Sequence, residues 1–216
     1  MTGLIRKHLM LGHVEPVVIL VYVAVAAVIG ILFRNPEMAG GIVGALGGGF
    51  SIYFIIAMHA VPDRNWLKLE GVLPIKTAHI ELSRYLSHVI VFLTTLLAIT
   101  AYILVGYMRG TFRESYLIDI LSPFASWYGM YFLVGAILFP ALRLFSASKA
   151  KLAKIIGGAL GIGLLLLIAS ATNNLLDMDE ASRSILLVVI AFILFVMSYF
   201  LSLYLYKRRM SREGVL

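Results

Sequence analysis

The chain has 216 residues, of which 61% are hydrophobic and 13% charged, and its mean hydropathy is +0.97. A soluble domain carries about 25% charged residues, and one of this length cannot hide so much apolar surface in a single core, so the composition excludes a water-soluble globular protein and makes the bilayer the solvent. The absence of cysteine excludes disulfides, thiolate metal sites and a cysteine nucleophile; the net charge of +7 reads as headgroup-facing and topogenic charge, not a nucleic-acid surface.

In chain order, residues 1–15 form an amphipathic segment in which Leu4, Ile5, Leu9 and Leu11 oppose Arg6, Lys7 and His8. No small-residue cleavage site closes the apolar run behind it, so it reads as a retained interfacial helix. A helix needs about 20 apolar residues to cross the hydrocarbon layer. Segments 16–34, 39–61, 88–108, 124–145, 155–173 and 184–206 meet that requirement. They are expected to be helical, because an open strand edge cannot satisfy its backbone polar groups in lipid. The fold expected is thus an all-α integral membrane protein, one domain over 1–216 with six transmembrane helices. In the second span, Gly40, Gly44 and Gly48 recur at four-residue spacing, as do Gly157 and Gly161 in the fifth. Such spacing gives a smooth face for a second backbone, within the fold or at a subunit seam. "GGIVGALGGGF" is no phosphate loop, since neither a preceding strand nor a following Lys-Ser/Thr accompanies it.

The distribution of cations orients the spans. Fourteen Lys and Arg lie in the N-terminus, the 62–87 loop, the 143–154 connection and the tail; Arg34, Arg109, Arg113 and Arg183 lie on the other side. The positive-inside rule places both termini in the cytoplasm, and acidic "LLDMDEAS" (175–182) outside.

Catalytic chemistry is hard to find in this pattern. His59 and His88 stand singly at span ends, as boundary residues do, and no HExxH spacing occurs. The Ser and Thr of the spans lack a His or Asp partner, so no nucleophile has its base. No catalytic residue and no metal site is assigned. The aromatic run of span 4, with Phe124, Trp127, Tyr128, Tyr131 and Phe132, reads as an aromatic belt or as a cargo-facing wall. On the second reading, Trp127, Tyr128 and Tyr131, with Tyr53 and Phe54 of span 2, are the candidate substrate-pathway residues. Without a charge at mid-membrane depth, a hydrophobic or amphipathic passenger suits the spans better than an ion or a sugar.

The 62–87 loop is longer and more ordered in pattern than a connector requires. "DRNWLKLE" suits about two helical turns, Gly71 breaks them, and Pro74 suits the first turn of a new helix. Thr77 followed by Ile80-Glu81 has the form of a loose N-terminal capping pattern. Val72, Leu73 and Ile75 form an apolar tip, which asks for a partner's groove. The stretch from Trp66 through "EGVLPIKTAHIELSRYL" resembles the first cytoplasmic loop of ABC-2 type transporter permeases, with Leu73, Pro74, Ile75, Lys76, Ile80, Glu81, Ser83, Arg84, Tyr85 and Leu86 in the pattern. It departs from the commoner form at Thr77-Ala78. The chain is similar in size and layout to small permeases of that family, such as exporters of phenol-soluble modulin-like peptides.

The resemblance implies a permease subunit of an ATP-binding cassette exporter in the plasma (inner) membrane. Its 62–87 segment would be a cytoplasmic coupling segment, with Val72, Leu73, Pro74, Ile75, Lys76, Ile80 and Arg84 docking on a separate cytoplasmic ATPase. That partner would hold ATP and Mg, leaving no cofactor in this chain. A second permease chain, identical or related, would complete a dimer that exports a peptide or lipid-like substrate. A secondary transporter or channel, and a non-transporting immunity or assembly scaffold, remain open on the residues alone.

Overall fold

The computed structural model describes residues 2–11, 16–32, 42, 75–110, 116–145, 150–175 and 179–212. Six helices occupy them: α1 (Thr2–Leu11), α2 (Pro16–Leu32), α3 (Thr77–Met108), α4 (Tyr116–Leu144), α5 (Ala150–Leu175) and α6 (Glu180–Arg212). Four of these, α3 to α6, contain stretches long and apolar enough to cross a membrane. α2 is apolar throughout but shorter, and the expected second span, 39–61, lies outside the described residues apart from Ile42.

Two elements run further than their hydropathy suggests. α4 begins at Tyr116, inside the segment between the expected spans 88–108 and 124–145. α3 begins at Thr77, so the amphipathic part of the 62–87 loop and the third span are one helix of 32 residues. No Pro or Gly interrupts the stretch before Gly106, and its first turns are covered by neighbouring helices, so nothing stops it at the expected membrane boundary. The capping pattern at Thr77 does not form. Lys76 is the N-cap, without a side-chain cap, and its carbonyl accepts from the backbone N–H of His79 at 2.8 Å and of Ile80 at 3.3 Å. At the far end, Gly110 adopts φ +66°, a left-handed conformation that costs glycine little. Its N–H bonds the Tyr107 carbonyl at 2.9 Å, closing the helix. Arg109, just past α3, donates to the Ile31 carbonyl near the end of α2, where a cation suits the terminal carbonyls.

The core comes in three clusters along the bundle. Midway, Tyr85 and Val91 of α3 meet Tyr131, Phe132, Leu133 and Phe139 of α4 and Ala191 and Phe195 of α6. Beyond it, Ala26 and Ile29 of α2 pack on Ala98, Ile99 and Tyr102 of α3 and Phe124 of α4. At the opposite end, Leu4 of α1 joins Ile80, Tyr206 and Met210, with Ile75 half-buried beside them. The start of α1, the start of α3 and the end of α6 therefore share one end of the bundle. These are segments that the charge count assigns to a single side.

Gly157 and Gly161 fix α5 against α4. A Cβ at Gly157 would stand 3.1 Å from the Leu138 Cα, and one at Gly161 3.0 Å from the Val134 Cα. The four-residue spacing on α5 thus meets a four-residue spacing on α4, the packing within the fold that small residues permit. Gly40, Gly44 and Gly48 lie outside the described residues. The rest of α5 stays open, with Ile155, Leu166 and Leu167 exposed as lipid-facing residues would be. Replacing Gly161 by Ile should push the two helices apart and destabilise the detergent-solubilised chain by about 1–3 kcal/mol. Gly163, whose added Cβ would meet nothing within 4 Å, should accept Ala with a gain of about 0.5–1 kcal/mol. Thermal unfolding of the two variants makes the comparison.

Candidate functional site

The expected docking residues divide between outside and inside. Val72, Leu73 and Pro74 lie outside the described residues. Lys76 is exposed, and Ile75 is half-buried against the Leu4–Ile80–Tyr206–Met210 cluster. Ile80 was expected to face a partner, but it is fully buried in that cluster and supports the segment from behind. Arg84, expected to face the ATPase, is half-buried, with its guanidinium 3.6 Å from the Glu81 carboxylate in its own helix.

Glu81 organises this end of the bundle. It is 0% exposed, and so is Ser202 of α6, whose hydroxyl donates to Oε1. Arg143, in the last turn of α4 and 5% exposed, donates from Nε to Oε2 at 3.1 Å and from Nη2 to the same oxygen. The other face of the guanidinium is closed by Tyr206 of α6, whose ring centroid is 3.9 Å from Cζ. A charge removed from water persists only when paired and hydrogen-bonded, and three helices contribute to meeting that condition. Weaker ties run parallel to it. Tyr85 and Ser198 hydroxyls are 3.0 Å apart, Tyr199 donates to the Ala78 carbonyl at 3.4 Å, and Arg209 donates to the Phe145 carbonyl at 3.3 Å.

Sequence reasoning placed Glu81 in the 62–87 segment and Arg143 in the 143–154 connection and missed their pairing. A usable signal was present on α6, where Ser198, Ser202 and Tyr206 recur every four residues along one face of an otherwise apolar helix.

Of the expected substrate-pathway residues, three lie on α4. Tyr131 is buried, and its ring stacks on His88 at 3.7 Å between centroids. Its hydroxyl donates to the His88 carbonyl at 2.8 Å, while His88 Nε2 lies 3.3 Å from the Tyr131 carbonyl. The position of Gly135 allows this close fit, since a Cβ there would stand 2.8 Å from His88 Nε2. Trp127 is 38% exposed and Tyr128 half-buried; Tyr53 and Phe54 lie outside the described residues. Five Ser and Thr hydroxyls of α3 are satisfied by their own helix: Ser83, Ser87, Thr94, Thr95 and Thr100 each donate to a carbonyl three or four residues back. Among the described residues, no three His, Asp or Glu side chains converge to hold a metal ion.

His8 of α1 sits beside this network and is 3% exposed, and neither ring nitrogen has a hydrogen-bond partner among the described residues. Burial first, and then the charges of Arg84 and Lys7, push its pKa down from 6.5 to about 2. The folded chain therefore holds fewer protons on His8 than the unfolded chain does. Docking of α1 should weaken as pH falls below about 6.5, and the loss should continue through the acid range. His8→Leu should abolish that pH dependence in amide exchange of residues 2–11.

The ion pair makes a second prediction. Arg143→Met leaves the buried Glu81 without its closest counter-charge, with only the more distant Arg84 and the Ser202 hydroxyl beside it, and should destabilise the chain by up to about 3–5 kcal/mol, whereas Glu81→Leu/Arg143→Met, which removes both charges, should recover most of that loss. Thermal unfolding in detergent would rank the two variants.

The family-level comparison bears on the chain as a whole. No curated protein and no solved structure matches it. The family model described as "ABC-2 family transporter protein" matches residues 3–207, which takes in every helix from α1 to most of α6. With four helices able to cross a bilayer, and with the match spanning nearly the whole length, the chain is a multi-pass membrane protein that belongs to the ABC-2 transporter family.

Proposed function

We propose that this chain is the membrane subunit of an ATP-binding cassette exporter, working as a pair of permease chains on a separate cytoplasmic ATPase. The observation that carries the reading is the family match over residues 3–207, joined to a sequence that holds no phosphate-binding loop of its own. Hydrolysis then belongs to a partner, which binds ATP and Mg. The docking element is the apolar tip Val72–Leu73–Pro74 together with Lys76, at the cytoplasmic end of the bundle in the plasma (inner) membrane. Ile75 and Ile80 anchor that tip to the chain's own core, and Arg84 serves the internal charge network.

A pull on the tip enters α3 at its first turn, and α3 continues without interruption to Met108. The stroke is then transmitted as a rigid-body tilt, not as bending of a loop. The passenger is hydrophobic or amphipathic, a peptide or a lipid-like molecule. The support for this is that the expected spans carry no charge at mid-membrane depth that could replace the hydration shell of an ion.

The test is capture of a P-loop ATPase by the tagged chain, followed by substitution of the tip. Leu73→Asp with Lys76→Glu should lose at least about 90% of the captured ATPase, since burying an unpaired charge in an apolar groove costs several kcal/mol, while leaving thermal unfolding of the permease unchanged. Undiminished capture by that variant would refute the docking assignment. Passage of an amphipathic peptide across vesicles holding the chain alone, without ATP, would instead favour a secondary transporter.

A further inference from the structure

Resting on the function proposed above, we infer that Glu81 and Arg143 are positioning residues that lock the start of α3 to the ends of α4 and α6, so that the three helix ends respond to the ATPase as one body. The location is the first argument. Glu81 lies five residues beyond Lys76, about 7.5 Å along the helix at 1.5 Å per residue, between the docking tip and the membrane-spanning length of α3. Any displacement of the tip passes this point before it reaches the bilayer.

The chemistry is the second argument. An apolar pair of the same volume would hold this site at least as firmly, so cohesion alone does not require charges here. A buried ion pair adds a directional penalty for slipping. A shift of α3 by one turn, about 5.4 Å, would set Thr77 or Tyr85 in the place of Glu81 and leave the Arg143 guanidinium buried without its carboxylate. Apolar side chains would tolerate intermediate positions, whereas the Arg143 fork, held between the Glu81 carboxylate and the Tyr206 ring, accepts few geometries. Ser202 on Oε1 adds α6 to the same lock. At this end of the bundle the partners are remote along the chain, since Glu81 is 62 residues from Arg143 and 121 from Ser202, and the α3–α4 connection lies at the far end of α3. Their register is therefore not fixed by a short connection.

The absence of cysteine allows a direct measurement. Spin labels at His79→Cys and Leu144→Cys, both exposed and outside the docking tip, report the separation of the α3 start from the α4 end. With Glu81 and Arg143 present, the labels should give one narrow distance that stays unchanged when a non-hydrolysable ATP analogue is added to the permease–ATPase assembly. In Glu81→Leu/Arg143→Met, which should still capture the ATPase, the single distance should be lost to a broad distribution that shifts with the analogue. Arg143→Lys keeps the charge but loses the fork, and should broaden the distance even where the double variant does not fold. A narrow, unshifted distance in both variants would overturn the inference, as would a shift with the native pair present. If the native chain captures no ATPase, the functional reading fails separately. The width of the distance in the free chain then still decides whether the pair sets the register.

Discussion

A carboxylate with no exposure to water has to find its compensation within the protein, and at the end of the bundle where α1 and α3 begin this requirement determines what the neighbouring helices present. Glu81 is met by the Arg143 guanidinium from α4, the Ser202 hydroxyl from α6 and the nearby Arg84. The Arg143 charge in turn rests on the Tyr206 ring. Desolvation of either charge is tolerable only in this arrangement, so the relative rotation and height of α3, α4 and α6 follow from it. The aromatic core of Tyr85, His88, Tyr131, Phe139 and Phe195 begins one turn further along α3 and continues the same three-helix contact by packing.

The bundle has two ends of different character. Beside the ion pair, polar side chains bridge separate helices and α1 lies against α3 and α6. At the other end, the α2–α3–α4 contact is built on hydrophobic and aromatic side chains, with Arg109 donating to the Ile31 carbonyl near the end of α2. α5 packs on α4 through Gly157 and Gly161 and otherwise offers its side chains outward. The polar ties between helices are concentrated at the end where α1 and α3 begin.

Several features were legible in the residues, each for a local reason. The existence of the membrane helices follows from runs of apolar side chains, and the glycine packing from a four-residue spacing that one helix can display without knowing its neighbour. The Leu73–Leu86 stretch carried the family resemblance that the match over residues 3–207 supports. Helix limits were less legible. Hydropathy placed the start of the third span at His88, because polar residues precede it; the helix begins at Thr77, and of those polar residues Glu81, Ser83 and Ser87 are buried in the bundle, not solvated.

That the chain is a helical, multi-pass membrane protein, and where its apolar lengths lie, could be read from composition and periodicity, which are properties of each segment alone; the family was carried by the Leu73–Leu86 motif and by the match over residues 3–207. The packed fold was needed to turn Ile80 and Tyr131 inward, to set Arg84 beside Glu81 and to bring Arg143 out of the polar connection into the core. Those outcomes depend on which face of one helix meets which face of another 62 or 121 residues away. A polar residue at a helix end reads the same in sequence whether water or a buried counter-charge satisfies it.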